Sequence, residues 1–331
     1  MRRARKFCLT LQNFTQLIFL ALIMSFSTVF RGVFIKKNSS LCIEHKNQKW
    51  GNKLTKYRYI QTDSEIQKFR SYLLSEQIHT LAMDFEGEFS LHQYGESLCL
   101  IQIFDGKNYF LIDPVHISTR ELKMLLESTN IVKIFYDAQS DKALVFKKYD
   151  IEIQAILDLA DPVYILEGQI RGLDAMIQKY LNITITQKKK FQKHNWTIRP
   201  IAEEALEYAL KDVQYLFKLK DELMEQLSRR GLLEDYIRRL VTRDNKVKIN
   251  PIPGIKRKKE YKKLTKEQKR TFDSLYEIRE KYAEKLNWPP NNVISNSLLH
   301  KIATGGETLE RSIHDKVPRK FRIDILREFK E

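Results

Sequence analysis

The chain has 331 residues, 43% hydrophobic and 30% charged, with 11 Gly and 8 Pro. That balance excludes a disordered or collagen-like polypeptide and a small disulfide scaffold, and leaves room for two or three domains of roughly 100–200 residues each. A net charge of +16 favours an anionic partner, either nucleic acid or an acidic membrane surface.

The charge is unevenly spread. Residues 1–60 carry +11, residues 61–242 carry −5, and residues 243–331 carry +10. An acidic centre between basic flanks is the arrangement a divalent-cation site beside a phosphate backbone needs, although scattered solvated carboxylates would give the same totals. Cys8, Cys42 and Cys99 form no CxxC pair, so neither a disulfide framework nor a zinc ribbon is indicated, and a reducing, cytoplasmic setting fits.

At the N-terminus, Phe7 to Phe30 is an uncharged run flanked by Arg2, Arg3, Arg5 and Lys6 before it and by Arg31, Lys36 and Lys37 after it. This extension, residues 1–48, fits a signal peptide, a short membrane anchor giving membrane contact, or an upstream extension from a misplaced start. From about Tyr57 the pattern alternates strands and helices. Ile78–Phe85, Leu98–Phe104 and Tyr109–Ile112 read as strands separated by turn residues. Ser118 and Glu121 have capping-box spacing ahead of a helix, Ile131–Tyr136 is a further strand, and the chain after Ser140 is helical. Gly172–Leu181 is helical, Lys188–Lys190 and Lys193 form a basic loop, and one long helix runs from Pro200, suited to its first turn, to about Leu227. This is a mixed α/β domain over residues 55–240. A linker at 241–254, with Pro251, Pro253 and Gly254, leads to three amphipathic helices at Lys266–Leu286, Ser295–Ala303 and Pro318–Phe329, so residues 255–331 form a small all-helical domain.

Three motifs carry candidate chemistry. Asp84-Phe85-Glu86 sits on a predicted strand, where alternation puts both acids on one face and Phe85 on the other; on so apolar a strand the pair needs a cation, or else it is a surface pair. Asp141 follows the strand ending at Tyr136 and also suits a helix cap. Tyr208 and Asp212, at i and i+4, share one helix face, a spacing that is ordinarily structural. Their joint occurrence, in this order, carries the functional case.

Asp84-x-Glu86, Asp141 and Tyr208-x-x-x-Asp212 resemble the acidic signature of the DEDD exonucleases, Tyr-containing subgroup. Trp196-Thr197-Ile198-Arg199-Pro200 followed by Tyr208–Leu216 is similar to ribonuclease D over residues 57–239. Arg279-Glu280-x-x-Ala283, Pro289-Pro290 and Leu298-Leu299-x-x-Ile302-Ala303 resemble the helicase-and-RNase-D C-terminal domain. One departure is Tyr136, where relatives often carry His.

The resemblance implies an α/β ribonuclease H-like exonuclease domain with a mixed sheet, and a metal-dependent 3′–5′ exonuclease that hydrolyses phosphodiesters at nucleic-acid 3′ ends. The implied substrate is structured RNA such as tRNA precursors. It implies two divalent ions, Mg²⁺ or Mn²⁺, held by Asp84, Glu86, Asp141 and Asp212. Oxygen-only ligands suit such hard cations. Asp84, Glu86 and Asp212 would surround the nucleophile-activating ion, Asp84 would bridge to the second, Asp141 would act through the second ion's water shell, and Tyr208 would position the attacking water. A DNA-specific exonuclease and a catalytically silent nucleic-acid-binding protein on the same fold are the alternatives. No Gly-x-x-x-x-Gly-Lys-Ser/Thr occurs, so no nucleotide cofactor is expected. Gln93, Arg199 and Lys211 suit phosphate contacts or site support, whereas Trp196, Phe85 and Leu98–Phe104 suit packing.

Overall fold

A computed structural model describes residues 49–50, 53–54, 57–185, 191, 193–243, 246–247 and 249–330. The apolar run 7–30 and the lysines at 188–190 lie outside them, and so do the expectations attached to those segments. Among the described residues no helix is long and apolar enough to cross a membrane.

Six strands form one mixed sheet: β1 (Tyr57–Ile60), β2 (Thr80–Phe89), β3 (Glu96–Phe104), β4 (Tyr109–Ile112), β5 (Val132–Phe135) and β6 (Ile156–Asp158). Their spatial order is β1-β4-β3-β2-β5-β6. The antiparallel meander β2-β3-β4 occupies the middle, with β1 parallel to β4 on one side and β5 and β6 parallel beyond β2 on the other. Both faces are covered by helices, so Leu81–Met83 and Leu98–Ile103 read as nearly continuous apolar runs.

On one face lie α1 (Asp63–Ser75), α2 (Thr119–Leu126) and α3 (Gln139–Tyr149). Ile66, Phe69, Leu122, Leu125, Leu144 and Val145 there share a core with Phe85 and Phe135. The other face carries α4 (Ala160–Glu167), α5 (Leu173–Leu181), α6 (Glu203–Gln214) and α7 (Leu216–Arg229). There Ala205, Leu206, Ala209 and Leu210 of α6 pack with Leu100 and Leu111. Farther along, Val213, Leu216, Leu219 and Met176 join Ala82 and Ile134. A last helix, α8 (Leu233–Thr242), rests on α4 and α7.

Two local expectations are corrected. The long helix expected from Pro200 to Leu227 is two helices that meet at Tyr215, and it begins only at Glu203, with Pro200 ahead of its first turn. The stripe of α6 lies over Leu100 and Leu111, whereas from Val213 onward it enters the core of Ala82 and Ile134, where α7 also packs along α5. Ser118 does cap α2 by accepting the Glu121 N–H, but the reciprocal half of the capping box is missing. The Glu121 carboxylate is drawn instead to Arg70 at 2.9 Å and to Gln67 Nε2 at 3.0 Å on α1, while the Ser118 N–H donates to Asp63.

Lys133 of β5 is fully buried, and its ammonium donates to the carbonyls of Ser128, Ile131 and Gln154 at 2.5, 3.0 and 3.0 Å. Beyond residue 158 the described chain is helical. Its C-terminal part comprises α9 (Lys266–Leu286), α10 (Asn296–Ala303) and α11 (Arg319–Lys330), with a separate core built on Phe272, Leu275, Val293, Leu299 and Ile325. Tyr94, from the β2–β3 connection, packs against that core.

Candidate active site

Strand alternation places Asp84 and Glu86 on the α6 side of β2, because Phe85 between them turns into the opposite core against Phe135. Helix α6 lies on β2 and β3 and presents Asp212 from its last turn. One carboxylate oxygen from each of Asp84, Glu86 and Asp212 lies within 4.8 Å of the other two. Three anions this close, half-buried or buried, repel one another unless a cation is shared among them, and an all-carboxylate donor set suits a hard divalent ion. The residues present therefore fit such an ion.

Tyr208 stands one helical turn before Asp212. Burial, and then the charges of Asp212, Glu86 and Asp84, push its phenol pKa well above the ordinary value, which places the hydroxyl within the field of all three acids. Its ring packs against Phe191, stacked with centroids 5.4 Å apart, and against buried Trp196. The Trp196 segment is itself anchored. Arg199 donates to both carboxylate oxygens of buried Asp113 at 2.6 and 3.0 Å, to the Trp196 carbonyl at 2.6 Å and to the Cys99 carbonyl at 2.7 Å. Arg199 is thus committed to the scaffold. Gln93 reaches Ser97 at 3.5 Å, and Lys211 lies near Glu207, whose pKa burial raises against the opposing pull of the Lys211 charge.

Asp141 is not part of the three-acid group. It lies buried in the first turn of α3, where burial first and then the charges of Asp158 and Asp137 raise its pKa. The mutually close acids are Asp84, Glu86 and Asp212, and Asp141 lies outside that group. The separation follows from topology, since α3 starts at the end of β5, on the other side of β2 from β3. What brings α3 near is Gly87. A Cβ there would meet Leu144 Cδ2 of α3 at 2.7 Å.

Three supporting residues escaped the sequence reading. Asp158 accepts the N–H groups of Asp137, Ala138 and Ala160 at 2.8, 3.1 and 3.0 Å, and so fixes the turn into α3, in which Asp137 adopts φ +59°. Glu88 is buried and accepts the backbone N–H groups of Leu91 and His92, shaping the hairpin after the acids. Gln102, opposite Asp84 on β3, is fully buried, and neither of its amide atoms has a hydrogen-bond partner among the described residues. A polar residue in an apolar strand was the available signal for Gln102; nothing in the sequence marks Asp158.

The family model for 3′–5′ exonuclease matches residues 57–228, just over half of the chain, and the chain belongs to that family. Within it the likenesses are to ribonuclease D and RRP6. The catalytic core of RRP6 from Trypanosoma brucei superposes with a TM-score of 0.64 at 21% identity, covering 82% of this chain and 77% of that one. Escherichia coli RNase D gives 0.63 at 22% identity, covering 83% and 74%. In sequence, exosome complex component 10 of Homo sapiens is 26% identical over 243 residues, which are 66% of this chain and 26% of that protein. Ribonuclease D of Haemophilus influenzae is 30% identical over 158 residues, 47% of this chain and 39% of that protein.

Proposed function

We propose that the chain is a divalent-metal-dependent 3′–5′ exoribonuclease of ribonuclease D type, acting on structured RNA such as tRNA precursors. The observation that carries it is the convergence of Asp84, Glu86 and Asp212 within 4.8 Å beside the Tyr208 hydroxyl. RNA as substrate is supported by the similarity to ribonuclease D and exosome component 10.

Asp84, Glu86 and Asp212 would hold the first Mg²⁺ or Mn²⁺, and Asp84 with Asp141 the second. Such ions supply Lewis acidity, favouring hydroxide from water near neutral pH and offsetting charge on the departing 3′ oxygen. Tyr208 stays neutral because its pKa is raised, so its hydroxyl acts as a fixed hydrogen-bonding group that orients the attacking water. Phe191 and Trp196 keep that hydroxyl from swinging away. The C-terminal helices, in a region of charge +10, serve as a helicase-and-RNase-D C-terminal domain that contacts the phosphate backbone.

The test is digestion of 3′-labelled RNA with and without Mn²⁺, beside a matched DNA oligonucleotide and an RNA with a blocked 3′ end. Asp84→Ala is expected to reduce cleavage to background with its circular dichroism unchanged. Cleavage at the parent rate by that variant would refute the assignment.

A further inference from the structure

Gln102 is the polar residue that the acidic site does not explain. It lies directly opposite Asp84 in the antiparallel β2–β3 ladder. Opposed residues project from the same face with Cβ atoms about 4.5–5.5 Å apart. Its side chain therefore stands beside the Asp84 carboxylate, on the face covered by α6. Its flanking residues on that face, Leu100 and Phe104, and its β4 partner Leu111 are apolar. Gln102 has no solvent exposure, and among the described residues neither Oε1 nor Nε2 has a hydrogen-bond partner.

A buried primary amide with nothing bonded is a burden on the fold, because a methionine or leucine of similar volume would fill the same space without the desolvation loss. An amide kept there at that cost has its partner in another state of the site. The polar side chain that the register sets beside it is that of Asp84, across the ladder. Asp84 belongs to the group of three mutually close carboxylates.

We propose that Gln102 is a positioning residue for the metal site: when divalent ions draw the acids together, its Nε2–H group donates to a carboxylate oxygen of Asp84, through a lone pair that the ions leave free. That hydrogen bond fixes the carboxylate plane and with it the ligand geometry, in the manner of other groups that hold a metal ligand from behind. Residues with such roles change metal affinity or activity by about 10–100-fold. This inference rests on the exonuclease reading and adds to it the group that orients Asp84.

The comparison is between the full chain and Gln102→Met, with three readouts. Thermal unfolding in EDTA reports the fold, calorimetric titration with Mn²⁺ reports the ligands, and steady-state cleavage of 3′-labelled RNA separates kcat from KM. The expected result is a metal-free Tm equal to or above that of the parent, Mn²⁺ affinity and kcat each reduced about 10–100-fold, and KM for RNA unchanged. Mn²⁺ affinity and kcat within about twofold of the parent would overturn the proposal, whatever the Tm. A Tm lower than the parent's would overturn it as well, because the amide would then be supporting the fold. If Gln102→Met is insoluble, Gln102→Leu carries the same comparison, and failure of both to fold counts against the proposal in the same way. A parent chain that neither binds Mn²⁺ nor cuts RNA would sink the exonuclease reading and this inference with it, whereas an active parent with an equally active Gln102→Met sinks the inference alone.

Discussion

Gly87→Ala tests how closely α3 must approach the acid-bearing strand. The added methyl would lie 2.7 Å from Leu144 Cδ2 and 2.9 Å from Phe89 Cε2. Carbon atoms in good contact are about 3.5–4.0 Å apart, so roughly 1 Å of displacement is required. Phe89 is half exposed and can swing away, but Leu144 is packed in the core, so its side chain has little room to turn and the strain passes to α3. Overpacking of this kind costs about 1–3 kcal/mol. Asp141 precedes Leu144 by three residues on the same helix and travels with it. A 1 Å misplacement of a participating group costs about 100-fold in rate. Urea unfolding should show a lower midpoint at constant slope, and single-turnover cleavage of 3′-labelled RNA should be slowed about 100-fold. Combining Gly87→Ala with Leu144→Ala should cost less stability than the sum of the two single changes, because the second opens the space that the first fills. A Gly87→Ala protein with parental stability and parental rate would refute the reasoning.

Tyr208→Phe should lower kcat about 100-fold while leaving KM and the circular dichroism spectrum unchanged. Because the carboxylates and burial raise the phenol pKa, the parent should show no loss of rate from tyrosine ionisation up to pH 10; a descending limb below that pH that vanishes in Tyr208→Phe would contradict this. Arg199→Met leaves the Asp113 carboxylate buried with Tyr59 and the Val115 N–H as remaining partners, and should cost about 3 kcal/mol in urea unfolding; a loss under about 0.5 kcal/mol would show the pair to be dispensable. Lys133→Met strips three carbonyls of their donor and should destabilise by about 2–3 kcal/mol by the same measurement, with kcat of the folded fraction unchanged.

The sheet and the helices around it were legible wherever one residue's neighbours along the chain decide its environment. Alternation through Leu81–Glu86 was enough to put Phe85 in one core and the two acids on the other face, and the three C-terminal helices showed their apolar stripes directly. What stayed hidden depends on packing across the sequence. The break at Tyr215 falls where the buried stripe has passed from the core of Leu100 and Leu111 to that of Ala82, Ile134 and Met176, a change absent from a continuous helical periodicity. Glu121 could have closed a capping box, but the guanidinium of Arg70, 51 positions earlier in the chain, is the stronger partner. Asp141 fell in register with the other acids in the motif yet stands apart from their mutual contact, because α3 begins beyond β5. Gln102 could be seen as a polar residue among Leu100, Ile101 and Ile103, but only the ladder register shows that it faces Asp84.

Arg243 pairs with Asp161 and lies 3.6 Å from Asp158, the residue whose carboxylate gathers the amides at the start of α3, while Arg239 reaches Asp161 at 2.9 Å. The last turn of α8 and the residue after it thus act as a rivet through the turn on which Asp141 depends. Anyone dissecting the molecule should keep that rivet: a fragment cut just before Arg243 would retain every acid of the site and still lose the cation that neutralises Asp158, whereas one carried a few residues further keeps the turn braced without any of α9–α11.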